Sequence, residues 1–459
     1  MNAMKASGAY TMRAIVMAAV FAAASSAVAA QEAESIELFN GKDLDGWVQV
    51  NCAPSTWSVR DGMIVCTGQP RGALRTDGMY ENYVLELEWR HVKEGGNAGL
   101  MVHADALPQV GAPYPRSVEV QVMDGDHGSI FGIRGCTVTP LTNPRGENRA
   151  RALEERAKPA GQWNRYVLTS KDGALDLEVN GKLVTRVKDC SQVKGYICLE
   201  SERSEVHFRN IRLTPLPSSD PPAERIAQAD EGFVSLFDGL TFAGWKHLKG
   251  FEGHWVASDG VIRCDGQVEV ERGGERSLWS EKEYGDFVLV VDWRLPAKPE
   301  PKMMNTFGPD GEILRDENGK NIRRELLDAG DSGIYVRGSS RSQVNIWCQP
   351  MGSGDINSYH KDLSLPVEVR RACVPKTKAD TEPGEWNRFV IWMVDDRVWV
   401  ALNGEAVIEW AELPDVPSRG ALALQNHTDP VEFRNLYIRR PRTTKLKPWM
   451  FRQLSGIEE

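Results

Sequence analysis

Three features of this sequence predict an all-β protein built from two tandem antiparallel sandwiches. Segments such as 83–90, YVLELEWR, alternate apolar and charged residues with the period of a half-buried strand. Turn dipeptides recur at short intervals, and Asn180-Gly181 and Asn403-Gly404 each divide an alternating segment into the arms of a hairpin. An internal repeat spans both halves of the chain, and no amphipathic helical pattern exceeds about two or three turns.

The length and charge of the chain narrow the class of protein. Its 459 residues correspond to about two or three domains, and 26% of them are charged, which is typical of a folded protein. The 64 acidic residues outnumber the 55 Lys and Arg residues and leave a net charge of -9. This balance argues against a nucleic-acid partner, which requires a basic surface.

The N-terminal segment predicts export. Lys5 and Arg13 precede the apolar stretch 14–24, which is followed by SSAVAA, and this order is typical of a secretory signal peptide cleaved near Ala29 or Ala30. The apolar stretch is too short for a permanent membrane anchor, and no later segment predicts a transmembrane helix. We therefore expect a periplasmic or extracellular protein.

The internal repeat consists of blocks that recur in the same order. The matched pairs are 38–47 with 236–245, 57–69 with 255–267, 83–90 with 287–294, 97–103 with 331–337, 179–181 with 402–404, and 206–213 with 431–438. This order indicates a tandem duplication. The predicted division is a signal peptide 1–30, a first copy 36–214, a linker 215–231, a second copy 232–440 and a C-terminal tail 441–459.

Four tryptophan pairs recur in register within the predicted strands. Because both copies keep them, we expect these side chains to pack in the cores rather than to stack on a ligand. The pairs are Trp47 with Trp245, Trp57 with Trp255, Trp89 with Trp293, and Trp163 with Trp386.

The eight cysteines leave two alternatives open. Cys190 and Cys198 flank a predicted strand entry, so in an oxidising compartment they either form a disulfide or remain buried free thiols. The chain has no Cys-x-x-Cys motif and no paired Cys and His spacing, so the sequence does not predict a structural zinc site.

The repeated blocks resemble a known family. LFDGLTFAGW, DSGIYVRG, GEWNRF, LNGEAVIE and LQNHTDPVEFRN in the second copy are similar to the 3-keto-disaccharide hydrolase domain family. GLMVHADALP, SVEVQVMDG, GQWNRY and GYICLESERSEVHFRNIRL in the first copy resemble another branch of it. The resemblance extends from about Ile36 to Arg440 and implies a concanavalin A-like jelly-roll sandwich in each copy. It also implies activity on sugars already oxidised to a ketone at C3.

Such a substrate sets the chemistry that the site needs. The ketone acidifies the C2 hydrogen, so a base can remove it and the glycosidic oxygen at C1 can then leave. Addition of water completes a net hydrolysis, and without water the enzyme is a lyase. The site therefore needs a base near C2, an electrophile or metal near the ketone oxygen, and an acid near the leaving oxygen.

In the first copy, the strand SVEVQV supplies the main candidates. Its alternation places Glu119 and Gln121 on one face and the intervening valines on the other, so these two polar side chains are expected to face the ligand. Asp124, Asp126 and His127 follow directly. They either ligate a metal, act as a base or bind substrate, or they form a polar turn. The alternative for the whole strand is a solvated outer face.

Positions matched between the copies give further candidates. His103 occupies the repeat position of Arg337, where the resembled family often has a basic residue that points into the cleft, and Arg337 suits a ketone or enolate oxygen. Glu200 and Glu202 align with Gln425 and His427. His427 lies in the segment that the family commonly writes L-Q-x-H, and it is the acid or base candidate of the second copy. Structural ion pairs and backbone-bonded loop residues are the alternatives.

The second copy replaces the first copy's Glu-x-Gln strand. Asn345 is aligned with Glu119 and Trp347 with Gln121, and Trp347 is expected to stack on a sugar ring. The loop beyond this strand adds a polar group of candidates: Asp355, Tyr359, His360 and Asp362.

The sequence leaves the cofactor and part of the function open. Asp and His side chains near these positions could hold a divalent cation such as Ca²⁺, although no spacing demands one. The expected partner is an oxidised carbohydrate or glycoside. A carbohydrate-binding protein without catalysis is the rival hypothesis, because this fold also serves lectins, and a third is that only one copy is catalytic.

Overall fold

The computed structural model describes residues 34–268, 274–308 and 311–441. The predicted signal peptide 1–30 and nearly all of the predicted tail 441–459 lie outside these ranges. Within them, no helix combines the length and the apolar character needed to cross a bilayer.

The first copy is a sandwich of two antiparallel sheets. In chain order its strands are β1 (Ile36–Glu37), β2 (Trp47–Val50), β3 (Trp57–Arg60), β4 (Met63–Cys66), β5 (Gly72–Thr76), β6 (Tyr83–His91), β7 (Gly99–Ala104), β8 (Ser117–Gln121), β9 (Ile130–Ile133), β10 (Thr139–Pro140), β11 (Arg149–Ala150), β12 (Asn164–Lys171), β13 (Ala174–Val179), β14 (Lys182–Lys188), β15 (Tyr196–Ser201) and β16 (Val206–Pro215). The back sheet has the order β10-β14-β13-β12-β6-β16-β4-β3, with β1 on β16, and the front sheet has the order β11-β9-β8-β7-β15-β5-β2.

A 3-10 helix, Ala223–Arg225, lies in the linker, and the second copy then repeats the plan. Its strands are β17 (Val234–Ser235), β18 (Trp245–Lys246), β19 (Trp255–Ser258), β20 (Val261–Cys264), β21 (Leu278–Tyr284), β22 (Phe287–Arg294), β23 (Glu300–Asn305), β24 (Arg323–Asp328), β25 (Asp331–Val336), β26 (Ser339–Trp347), β27 (Asn387–Val394), β28 (Arg397–Leu402), β29 (Glu405–Glu412), β30 (Gly420–Leu424) and β31 (Val431–Arg439), with helices α1 (Asn357–His360) and α2 (Val367–Ala372) before β27. The back sheet runs β19-β20-β31-β22-β27-β28-β29, with β17 on β31, and the front sheet runs β18-β21-β30-β25-β26. Strands β23 and β24 form a separate hairpin within the second copy's insertion.

Strand alternation builds each core between its two sheets. In β6, Tyr83, Leu85, Leu87 and Trp89 are at most 1% exposed and point inward, while the side chain of Glu86 faces outward. The inward residues pack on apolar side chains of the front sheet, such as Leu100, Val102, Val118 and Val120. The valines that alternate with Glu119 and Gln121 therefore belong to the core, as their spacing predicts.

The recurring tryptophans divide into two groups. The pairs at 47 and 245, 57 and 255, and 89 and 293 are buried in the two cores, which confirms the prediction for them. The fourth pair is half-buried, and the core prediction is wrong for it. Arg90 and Arg209 lie over the ring of Trp163, and Arg294 and Arg434 lie over the ring of Trp386. A planar guanidinium can cover an aromatic face at the surface, so the ring does not need a core position.

The two copies meet through one connection of the first copy. Residues 105–116, between β7 and β8, lie on the outer face of the second copy's back sheet, where Leu107 joins a small apolar cluster with Val290 and Trp392. At the centre of this contact, Asp292 accepts hydrogen bonds from Arg388 and from the backbone N–H of Gly111.

All eight cysteines lie within the described residues, and all are free thiols. The disulfide between Cys190 and Cys198 is therefore wrong, and the alternative of buried thiols holds for both. Burial raises the pKa of the Cys198 thiol to about 12, so this group stays protonated.

Candidate active sites on the two front sheets

The strand ladders give the alignment of the two front sheets. Gly99 lies opposite Gln121 in the first copy, and Gly333 lies opposite Asn345 in the second. Gln121 therefore corresponds to Asn345, and Glu119 corresponds to Gln343. The sequence-based alignment, which matched Asn345 with Glu119, is displaced by two residues. A two-residue shift keeps every side chain on its face, so the hydrophobic pattern could not detect it.

The first copy gathers three carboxyl groups around Gly99, a group that we call the carboxyl cluster (Glu119, Glu200 and Glu202). Strand β7 lies between β8, which carries Glu119, and β15, which carries Glu200. A Cβ atom on Gly99 would lie 2.8 Å from Glu200 Oε2 and 3.0 Å from Glu119 Oε1. Glycine therefore leaves the space that two carboxyl groups on either side of β7 occupy.

Burial dominates the electrostatics of the carboxyl cluster. The pKa of Glu119 is raised to about 8, mainly by burial and also by the nearby Glu202 carboxylate, while Arg149 and Arg134 oppose the shift. Burial also raises the pKa of Glu200, again reinforced by the other two carboxyl groups. A group of this kind retains a proton near neutral pH, which suits acid and base catalysis.

The hydrogen bonds of the carboxyl cluster leave it open to a ligand. Asn97 Nδ2 donates to Glu202 Oε2 at 2.6 Å and holds that side chain in place. Glu200 Oε2 is buried without a hydrogen-bond partner among the described residues. Gln121 lies on the same face of β8 as Glu119, and its Oε1 accepts only the backbone N–H of Val122, at 3.2 Å. Its amide N–H groups can therefore turn toward a bound oxygen.

The second copy places uncharged amides where the first copy has carboxyl groups. Gln343 and Gln425 stand at the positions of Glu119 and Glu200, and Gln343 Nε2 donates to Gln425 Oε1 at 2.7 Å and to Asn345 Oδ1 at 2.5 Å. We call Gln343, Asn345 and Gln425 the amide array. Linked amides of this kind offer both donors and acceptors to sugar hydroxyl groups.

An Asp and His pair borders the amide array. His427 stands at the position of Glu202, and Asp331 stands at that of Asn97. His427 Nδ1 lies 3.7 Å from Asp331 Oδ2, and the imidazole is exposed. Burial raises the pKa of Asp331 to about 6, and His427 opposes this shift. The first copy's amide-to-carboxylate contact is thus replaced by a carboxylate-to-imidazole contact.

Behind the amide array lies a buried acid and imidazole. His360 Nε2 is 3.1 Å from Asp355 Oδ2, and neither side chain is exposed. The backbone N–H of Asn345 donates to the carbonyl of Asp355, so this pair supports the strand that carries Asn345. Tyr359 is 1% exposed and donates its hydroxyl to the carbonyl of Pro414. The structure therefore places His360 and Tyr359 in the interior, which corrects their expected position in a ligand-facing loop.

His103 and Arg337 also lie elsewhere than expected. Both have positive φ angles, 53° and 55°, and this left-handed conformation breaks the strand alternation and turns each side chain away from the front face. His103 Nε2 lies 3.0 Å from Ser170 Oγ of the back sheet, and burial lowers the His103 pKa to about 4. Arg337 is 1% exposed and donates to Asp286 and to backbone carbonyls. The expectation that they point into the cleft is wrong for both.

The two candidates after β8 separate from the carboxyl cluster. Asp124 is exposed and accepts the backbone N–H of Gly95, which fits the polar-turn alternative. His127 stacks on Trp89 of the back sheet, with ring centroids 4.9 Å apart.

Trp347 of the second copy is 8% exposed, and its indole N–H is bonded to the carbonyl of Gly352.

Several site residues escaped the sequence-based prediction. Asn97, Gly99, Asp331 and Gln343 contribute to these sites, and only their contacts across neighbouring strands reveal it. The aligned pairs Asn97 with Asp331 and Glu202 with His427 were visible in the repeat. Both positions change from an amide and a carboxylate in the first copy to a carboxylate and an imidazole in the second. This paired substitution is the signal in the sequence that could have identified these residues.

No group of three or more His, Cys, Asp or Glu side chains with the geometry to hold a metal ion is found within 34–268, 274–308 and 311–441.

Each copy is an antiparallel β-sandwich whose front sheet carries a cluster of polar side chains, and this fold alone does not identify an activity. A family model, described as the 3-keto-alpha-glucoside-1,2-lyase-like domain, matches residues 34–214 and 232–439. The chain belongs to this family and carries its domain twice, and the membership supports a carbohydrate-active enzyme.

Individual relatives are more distant. A 3-keto-disaccharide hydrolase of Bacteroides thetaiotaomicron is 26% identical over 39% of this chain and 78% of its own length. A proposed glycosyl hydrolase from Parabacteroides distasonis, solved as a crystal structure, has 23% identity and a TM-score of 0.33 over 40% of this chain and 94% of its own. A β-glucanase of Bacillus licheniformis has 13% identity and a TM-score of 0.29 over 41% of this chain and 100% of its own.

Proposed function

We propose that this protein cleaves the glycosidic bond of 3-keto-glycosides, including 3-keto-disaccharides, by elimination with or without subsequent addition of water. The observation that carries the proposal is the carboxyl cluster, in which Glu119, Glu200 and Glu202 converge around Gly99 and burial raises the pKa of each. Family membership supports the substrate class. The expected export of the protein would place the reaction in the periplasm or outside the cell.

The reaction divides between two protonation states of the cluster. The ionised carboxyl group, which we assign to the half-buried Glu202, removes the C2 proton, and the electron pair of that bond moves toward the C3 ketone oxygen. Gln121 donates a hydrogen bond to this enolate oxygen. Return of the electron pair forms the C1–C2 double bond and breaks the bond from C1 to the glycosidic oxygen. Protonated Glu119 gives its proton to that leaving oxygen.

Water decides between the two outcomes. If the unsaturated ketone leaves the site, the net reaction is a lyase reaction. If water adds at C1 and a proton returns to C2, the products are those of hydrolysis. The same carboxyl groups would then act in reverse, since each has exchanged its proton during the elimination.

The second copy offers another acid and base centre of different composition. His427 would remove the C2 proton, and the amide array would donate to the enolate oxygen. The favouring observation is the contact of His427 with Asp331, a carboxyl group whose pKa is raised to about 6 by burial.

The direct test compares one sugar in two oxidation states. The full-length protein is incubated with a 3-keto-glucoside and, separately, with the parent glucoside, and aglycone release is followed by chromatography. Release from the ketone alone is the expected result, because only the ketone acidifies C2. Retention of both compounds intact, together with measurable binding, would instead support the carbohydrate-binding alternative.

A further inference from the structure

The second copy contains a cavity of about 250 Å³, and Trp347, which follows Asn345 of the amide array by two residues, forms part of its wall. Its wall is mostly apolar, and a polar rim is contributed by residues 378–387. The apolar part of the wall is formed by Trp293, Leu295, Leu326, Leu327, Trp347 and Cys348.

The insertion of the second copy builds one side of this cavity. Leu326 and Leu327 lie on β24, in the hairpin that the first copy lacks. Leu327 is 56% exposed, although an apolar side chain of this size gains free energy when it is covered. A hairpin that presents a leucine at the mouth of an apolar cavity is suited to close over a ligand.

The cavity adjoins the polar site. Trp347 lies directly opposite Asp331 in the ladder of β25 and β26, and opposed side chains of this kind have Cβ atoms about 5 Å apart. Asn345 precedes Trp347 by two residues and therefore lies on the same face. A ligand that reaches from Asn345 past Trp347 would pass from a hydrogen-bonding surface into an apolar one.

The wall provided by Trp347 is apolar because its polar group is already satisfied. The indole N–H is bonded to the Gly352 carbonyl at 2.8 Å, so the ring offers only its carbon surface. Lys361 Nζ lies 5.7 Å from the ring centroid and supports the ring by a cation–π contact.

The volume of the cavity indicates the size of the ligand group that it can hold. An engineered apolar cavity of about 150 Å³ in another protein is sufficient for benzene, so about 250 Å³ accommodates one substituted aromatic ring. The first copy has Met123, an exposed side chain, at the position of Trp347. The aromatic cavity is thus a property of the second copy, not of the fold.

We propose that the second copy binds glycosides with a flat apolar aglycone of the phenolic class. The cavity holds the aromatic ring, and Asn345, Gln425 and His427 face the sugar. The sugar half of this assignment rests on the proposed function, whereas the aromatic half rests on the cavity alone.

The test uses the full-length protein and an unoxidised probe that cannot undergo the elimination. 4-Fluorophenyl β-D-glucoside is titrated with protein and followed by ¹⁹F NMR line broadening, with 4-fluorophenol and methyl β-D-glucoside as the separate halves. Leu327→Glu places a carboxylate at the cavity wall. Leu314→Glu is the matched control, because Leu314 is 40% exposed in the same insertion and does not line the cavity.

Saturable binding of the fluorophenyl glucoside is expected, with a Kd increased at least about tenfold in Leu327→Glu, because a carboxylate beside an apolar cavity must lose hydration when the ring enters. Leu314→Glu should bind like the wild type. Binding unchanged in Leu327→Glu, or no binding at millimolar concentration, would overturn the assignment.

Failure of this inference can be told apart from failure of the proposed function. A protein that cleaves a methyl 3-keto-glucoside but does not bind the fluorophenyl probe keeps the proposed function and loses the aromatic site. A protein that binds the probe through Leu327 but cleaves no 3-keto-glycoside keeps the aromatic site and loses the proposed reaction.

Discussion

The two copies have nearly the same order of strands. They differ most on the outer faces of their front and back sheets, where a change of residue does not affect the core. On the front sheet, the first copy buries a carboxyl cluster, and the second copy replaces each of its members by an amide or an imidazole. On the back sheet, the first copy is charged and solvated, whereas the second copy is covered and combines an apolar cluster with the buried pair of Asp292 and Arg388. Duplicated sandwiches can therefore diverge on both outer faces while the residues between the sheets stay matched.

The back sheets differ because one of them has a partner. In the first copy, Glu86 faces solvent and pairs with Arg165 and Arg212. Val290, at the position of Glu86, is fully buried, and Leu107 from the first copy packs in the same cluster. The duplication makes the same strand serve as a solvated surface in one copy and as an interdomain contact in the other.

The largest effect is expected from exchanging the front-sheet chemistry. Glu119→Gln introduces the residue that the second copy has at this position, and it removes the proton given to the leaving oxygen. Turnover of a 3-keto-glucoside should fall about 100-fold or more, with an unchanged circular dichroism spectrum. Steady-state kinetics measures this change, and Glu178→Gln on the back sheet is the control.

A variant of the second copy, His427→Gln, shows whether the reaction takes place there instead. If turnover survives Glu119→Gln but is lost in His427→Gln, the reaction belongs to the second copy. The carboxyl cluster would then have no catalytic role.

The next largest effect concerns the covered back sheet. Val290→Glu places a carboxylate in a fully buried position against Leu107, and it should lower the free energy of unfolding by about 3 kcal/mol or more. Urea unfolding followed by fluorescence measures the loss. A loss below about 1 kcal/mol would mean that the contact between the copies opens readily in solution.

An effect of intermediate size is expected in the pH dependence of the free energy of unfolding, and it distinguishes the front sheet of the first copy from that of the second. The pKa of Glu119 is raised to about 8 in the folded protein, so between its ordinary value and about 8 the folded state binds more protons than the unfolded state. This carboxyl group therefore lowers the free energy of unfolding as pH rises through that range, and its stabilising effect is complete only below it.

Glu119→Gln should reduce this decline, whereas Gln343→Ala in the second copy should leave its slope unchanged. Urea unfolding at several pH values between about 5 and 8.5 measures the slope. An identical slope in the wild type and in Glu119→Gln would contradict the raised pKa.

The smallest effect is the reverse exchange on the back sheet. Glu86→Val introduces the residue of the second copy into a solvated surface, where ion pairs contribute about 1 kcal/mol or less. We expect a change in unfolding free energy within about 1 kcal/mol, by the same urea measurement. A large loss would show that the ion pairs of Glu86 stabilise the first copy far more than exposed pairs usually do.

The front-sheet sites could be predicted from the sequence only in part. Period-two alternation correctly placed Glu119 and Gln121 on the face opposite the core valines, because side-chain direction in a regular strand depends only on parity. The same rule failed for His103 and Arg337, since a single positive φ angle reverses the parity. The carboxyl cluster joins residues about 80 positions apart, and strand order, which local patterns do not encode, brings them together.

The sequence by itself determined that the protein is a duplicated, nearly all-β chain with matched cores, because apolar periodicity and repeated blocks are local properties. Only the tertiary structure decided which strands are neighbours, which register aligns the copies, and which outer face is covered. These depend on contacts between distant segments, and a shift of two residues or a change of partner leaves the local pattern intact while it changes the chemistry that meets at Gly99 and Gly333.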